Sequence, residues 1–201
     1  MYSNYLEINF VSKLKTLLRH IATIQTGTFA KTVSQGEIVY LQAKHFNEYG
    51  QLNSVLQPDL KANNSTQKHL LKDGDVLFAA KGTKNFAAWY ESQNQPAVAS
   101  TTFFVIHLQE DFINKILPEF LVWFINHPSS QKFLKERAIG TSIVSISKSV
   151  LEELEISIPD LQTQKVILEI TQLRNKEKLL RNKIEDLREK QIQQQIINGI
   201  K

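Results

Sequence analysis

The chain has 201 residues, with 42% apolar and 22% charged residues and a net charge of +4 from 24 Lys and Arg against 20 Asp and Glu, the proportions of an ordinary globular protein of one or two domains. It has no cysteine, which excludes disulfides, thiolate chemistry and Cys-based zinc sites together. No apolar run reaches the ~18 residues of a membrane span, and the opening YSNYLEINF lacks the basic and apolar regions of a secretory leader, so a cytoplasmic protein is expected.

The first predicted element, over 11–26, is a short helix or turn through Leu14, Leu17, Leu18 and Ile21 that leads into the strand IATIQTG and is broken at Gly27-Thr28. EIVYLQ, at 37–42, is a strand by its Ile, Val and Tyr. A turn carrying Asn47 and Gly50 follows, then a short strand at 52–56 and an irregular polar stretch at 57–68. Asp73-Gly74-Asp75 forms a tight turn ahead of the buried strand VLFAA, KGTKN a polar loop, and FAAWY and AVASTTFFVIHL two further strands. Pro118 suits the first turn of a helix with Leu117, Phe120, Leu121, Phe124 and Ile125 on one face. His127-Pro128 ends that helix, and a second spans 129–138. After a turn at Gly140-Thr141-Ser142 come an extended piece, one or two helical turns over 148–154, and a last strand at 155–158 closed by Pro159.

From Gln162 onward the pattern changes. Val166, Ile170, Leu173, Leu180, Ile184 and Leu187 recur at steps of 4, 3, 7, 4 and 3, the rhythm of a coiled-coil seam, with Glu177 and Gln191 in the intervening seam positions. The stripe then moves over to Ile192, Ile196 and Ile200. A helix of about 36–38 residues is ~55 Å long, too long to lie wholly against a small domain, and its seam is too narrow for burial on all sides. It calls for a partner helix, and self-association is expected. The fold class is therefore α+β: a mostly β domain with short helices at 1–158, then a long coiled-coil helix at 159–201.

Charge is uneven. Residues 1–90 carry 10 Lys and Arg against 6 Asp and Glu, residues 91–161 carry 5 against 9, and residues 162–201 carry 9 against 5. A basic first part and a basic tail fit a polyanion. Catalytic patterns are missing. No two of His20, His45, His69, His107 and His127 stand three or four apart, so no helical zinc pair forms. No phosphate-cradling glycine loop or nucleophile elbow is present. Asp59-Leu60-Lys61 has no upstream Pro-Asp partner to make a nuclease centre, and no glycine-rich turn suits a methyltransferase. Asp73 and Asp75 read as turn formers rather than metal ligands. Binding remains. Lys31, Lys44, Lys61, Lys68, Lys81 and Lys84 sit in predicted loops, with Thr28, His45, Thr83 and Asn85 near them. Lysines neutralise phosphates, while Thr, His and Asn can read base edges.

Five stretches, in order, resemble the specificity subunit of Type I restriction–modification systems: IATIQTGTFA, LKDGDVLFAAKG, LPEFLVWFINHPSSQKFL, GTSIVSISKSVLEEL and ELEISIPDLQTQKVI. The last resembles the family's strand, proline and long-helix junction, with Asp160 and Thr163 where a second proline and an acid are usual. The resemblance implies a target recognition domain followed by a spacer helix, no catalysis, and no cofactor on this chain. It also implies methyltransferase and restriction subunits as partners, which carry S-adenosylmethionine, ATP and magnesium. Family members have two recognition domains and two spacers, whereas this chain has one of each. It is thus expected to be a naturally short subunit or one half of an interrupted gene. A homodimer rebuilds two heads and implies a bipartite palindromic site, which a ~55 Å stem spans over about 16 base pairs. Its DNA-facing residues would be Thr28, Lys31, Lys44, His45, Lys81, Thr83, Lys84 and Asn85, and its pairing residues the six of the seam. The rival reading is a coiled-coil adaptor without DNA binding, separated from the first by duplex binding with a steep salt dependence.

Overall fold

A computed structural model describes residues 14–47, 50–82, 84–91, 95–140 and 144–200. The chain divides after Leu161 into two compact units.

The first unit is built on a four-stranded antiparallel sheet in the order β2-β8-β4-β6, formed by β2 (Ala22–Thr26), β4 (Val76–Ala79), β6 (Ala87–Trp89) and β8 (Phe103–Leu108). All four residues of β4 are buried, which matches its unbroken apolar run. β2, at the sheet edge, alternates buried Ala22 and Ile24 with exposed Thr23 and Gln25. β3 (Val39–Leu41) pairs in parallel with β7 (Ala97–Ala99). The core between them holds Leu41, Leu77, Ala99, Phe103 and Val105. Phe103 is fully buried, its ring 5.7 Å from that of Phe46 and 6.1 Å from that of Phe86.

Several expectations change because distant segments decide local structure. Leu14–Leu17 is a strand, β1, not part of a helix or turn, since it pairs antiparallel with β10 (Glu155–Ile158), with Leu14 opposite Ile158. The apparent helical spacing comes from a 3₁₀ turn at Leu18–His20 that points both Leu18 and Ile21 inward. AVASTTFFVIHL is two strands, not one. The Phe103 N–H donates to the Ser100 carbonyl at 2.9 Å, and the turn sends β7 and β8 into different sheets. The irregular stretch contains α1 (Asn64–Lys68), whose start is fixed by the Asn63 side chain accepting from Ser65 and Thr66 N–H, both at 2.9 Å. Residues 52–56 form no strand, only a bridge from Leu52 to Phe46. Lys81–Gly82 is a short strand, β5, pairing with β9 (Val144–Ser145), because the chain returns there more than 60 residues later.

Helices complete the unit. α2 (Glu110–Ile113) was not expected. α3 (Pro118–Asn126) begins with its proline and buries Phe120, Leu121, Val122 and Ile125. α4 (Pro128–Glu136) and α5 (Lys148–Glu152) follow. α6 begins at Leu161 and continues to Ile200, 40 residues and ~60 Å at 1.5 Å per residue, and all of it after Leu161 belongs to the second unit. No described helix is long and apolar enough to cross a membrane.

Gly27 shows why the break after β2 needs glycine. A Cβ there would stand 2.1 Å from the Ser100 carbonyl oxygen and 2.6 Å from that of Ala99, and backbone cannot give way as a flexible side chain can. Gly27→Ala is expected to destabilise the first unit by about 1–3 kcal/mol or more. A shift of the urea midpoint at unchanged slope would show it.

Candidate nucleic-acid interface

β2, β3, β4 and β7 all finish at one end of the first unit, where β6 and β8 begin. The register fixes this: Thr26 and Phe78 stand opposite Phe104, Ala79 opposite Phe103, and Leu41 beside Ala99. The segments leaving this end are 27–35, 42–53, 80–86 and 100–102. These segments carry Lys31, Lys44, Lys81 and Lys84, up to 53 positions apart in the sequence. The only acid among these segments is Glu48, outside the described residues. At the opposite end stand Asp73, Asp75, Glu91, Glu110 and Asp111, with Arg19 and Lys72.

Each loop is held by specific bonds. Thr28 bridges Ser100, and its N–H donates to the Ala99 carbonyl at 2.9 Å. The buried Tyr40 donates its hydroxyl to the Thr28 carbonyl at 2.9 Å and receives Ala30 N–H at 3.4 Å. This tethers the loop on which Lys31 is exposed. Lys44 and His45 lie in a 3₁₀ turn, Ala43–His45. Asn53 closes that loop, its N–H donating to the His45 carbonyl at 2.9 Å and its amide to the Lys44 carbonyl at 3.4 Å. Burial, and then the neighbouring Lys44, lower the His45 pKa below the usual imidazole value, opposed by Asp59. Its Nδ1 receives the Gln42 N–H at 3.3 Å, so the neutral ring carries its proton on Nε2, a donor. Lys81 and Lys84 are exposed. β5 is anchored by Ala80, whose N–H donates to Thr102 and whose carbonyl accepts from Ile146, both at 2.9 Å.

Not every sequence candidate belongs here. Asn85 is 9% exposed and donates its amide to the Ala79 carbonyl at 2.9 Å, so it closes the end of β4 instead of offering a polar group outward. Thr83 lies outside the described residues. Lys61 adjoins Leu60, which bridges Ile38 at the start of β3, away from the lysine-bearing end. Lys68 lines a concave surface of about 240 Å³ along β2 with His69, Lys72, Thr23, Gln25 and Thr26. Sequence reasoning missed the β2 members of this surface, although the alternation in ATIQT was the signal for a polar exposed face. A larger cleft of about 490 Å³ beneath Trp89 is lined by no charged side chain and suits a polyanion less well. Asp75 acts as a turn former: its Oδ2 accepts from Lys72 N–H at 2.7 Å, and its Oδ1 lies 2.6 Å from His107 Nδ1.

On α6 the six seam residues are exposed, from 36% for Val166 to 65% for Leu173.

The family model of the Type I restriction modification DNA specificity domain matches residues 18–189. Three solved structures are similar in fold. One is a Type I restriction–modification system S subunit from M. genitalium, 15% identical at a TM-score of 0.59, covering 86% of this chain and 41% of that one. Another is the HsdS subunit from Thermoanaerobacter tengcongensis, 17% identical at 0.61, covering 90% and 46%. The third comes from a structural study of complex assembly and conformational transition in the type I R-M system, 18% identical at 0.62, covering 85% and 44%. The chain thus spans less than half the length of these structures. No curated protein matches it.

Proposed function

This chain belongs to the Type I restriction–modification DNA specificity family, and on that premise we propose that it is the non-catalytic DNA-recognition component of a restriction–modification complex. Residues 1–158 are the target recognition domain in this reading, and residues 159–201 the spacer. The head reads part of a bipartite duplex site and directs methyltransferase subunits, with a restriction subunit in the full complex. S-adenosylmethionine, ATP and magnesium bind to those partners, and the work is done in the cytoplasm. The stem brings a second head to the same duplex, supplied by another copy or by another specificity chain.

What supports the reading is that the segments leaving one end of the sheet carry Lys31, Lys44, Lys81 and Lys84 together with Thr28 and His45. Phosphates reward such a basic surface, and polar side chains between the cations can meet base edges.

Lys81→Ala with Lys84→Ala is expected to weaken duplex binding roughly tenfold and to lower the slope of log K against log salt by about two. A titration of a randomised duplex at several salt concentrations measures both. An unchanged slope would take this loop off the DNA face. No duplex binding by the unaltered chain at low salt would favour the adaptor reading.

A further inference from the structure

Leu173, Leu180 and Leu187 alternate along the stem with Ile170, Glu177 and Ile184. In heptad terms, the positions flanking this seam on one side are Arg174, Arg181 and Arg188, and on the other Lys176, Lys183 and Lys190. From 174 to 190 no acid occupies a flank. Glu185, Asp186 and Glu189 lie on the outer face, and Glu169 flanks the seam one heptad before Lys176. Two of the arginines are partly compensated within the helix, Arg181 by Glu177 at 2.6 Å and Arg188 by Glu185 at 4.0 Å. The three lysines make no ion pair among the described residues.

Two copies of this stem meet like charge in either orientation. Parallel pairing sets Lys176 and Lys183 of one copy against Arg181 and Arg188 of the other. Antiparallel pairing sets lysine row against lysine row and arginine row against arginine row. The seam still needs covering, since Leu173, Leu180 and Ile184 are 65%, 61% and 49% exposed. We propose that the stem docks onto a different helix, one whose apolar seam is flanked by Glu or Asp, in preference to a second copy of itself. Flank charge selects the partner, and Glu177 within the seam helps to fix register. Pairing two unlike chains removes the two-fold axis, so the DNA site need not be palindromic.

This inference concerns the partner in the function proposed above but rests on the stem alone. Duplex titration tests the head and peptide capture tests the stem, so either can fail without the other. The test uses the full chain and two labelled synthetic peptides of about five heptads with the same Leu/Ile seam, one flanked by Glu and one by Lys. By sedimentation, the chain alone is expected to be monomeric at micromolar concentration. By fluorescence anisotropy, it should bind the Glu-flanked peptide at least about tenfold more tightly than the Lys-flanked one. That preference should shrink towards unity at 1 M salt, where the screening length falls to about 3 Å. Lys176→Glu, Lys183→Glu and Lys190→Glu together should erase the preference and allow the chain to pair with itself. A tight dimer of the unaltered chain, equal binding of the two peptides, or a triple variant that behaves as wild type would each overturn the proposal.

Discussion

Leu180→Asp combined with Ile184→Asp is expected to abolish docking on the stem, lowering affinity for its partner helix by more than ~10³-fold. The two residues are consecutive members of the seam, 61% and 49% exposed in the single chain and thus available to a partner. Once a helix covers them, each new carboxylate would be taken from water into the apolar seam, at a cost of several kcal/mol. The helix itself should persist, because Asp lowers helix propensity by only a fraction of a kcal/mol per residue. Circular dichroism would therefore change little while sedimentation with the Glu-flanked peptide shows free chain. Asp186→Ala, on the outer face, serves as the control and should leave docking intact. Retention of full affinity in the double variant would remove this seam as the interface, whatever the partner.

Phe103→Ala is expected to destabilise the first unit by about 3–5 kcal/mol, the usual cost of truncating a large buried aromatic. Phe103 begins β8 at the centre of the fold and is fully buried against Phe46 and Phe86. Its carbonyl accepts Gly27 N–H at 3.0 Å, and its N–H donates to Ser100 at 2.9 Å. The residue thus ties the turn between β7 and β8 to the loop bearing Thr28 and Lys31. For a unit of this size the loss amounts to roughly 10 °C or more in Tm. Duplex affinity measured well below the transition should fall further than the small change in folded fraction explains, if that loop is part of the reading surface. A Tm shift with unchanged affinity per folded molecule would separate the two roles.

The strands that were legible are those whose chemistry is self-contained. VLFAA is apolar throughout and became the fully buried β4. Pro118 opens α3 as its fixed φ allows, and Pro128, read as the end of that helix, also opens α4. The seam of α6 was written in its spacing. Misreadings fell where a distant segment supplies the hydrogen bonds. LKTL has the spacing of a helix but meets β10 about 140 residues later. Lys81–Gly82 looks like loop until Val144–Ser145 arrives beside it. Asn85 looked like a surface polar residue, yet one hydrogen bond to Ala79 draws it inward.

The sequence by itself determined the class of the protein and the properties of its stem. A helix with a 3–4 repeat carries an apolar seam on one face, because i and i+4 neighbours are fixed by local geometry, and the charges beside that seam could be read from the letters alone. Only the tertiary structure decided which loop residues stand together. Lys31, Lys44, Lys81 and Lys84 come from three segments, all leaving the same end of the unit because parallel and antiparallel strand pairing makes β2, β3 and β4 finish on that side. Strand pairing is a non-local choice, made by burial of Leu77, Phe103 and Val105 in one core, and no spacing within any one loop encodes it.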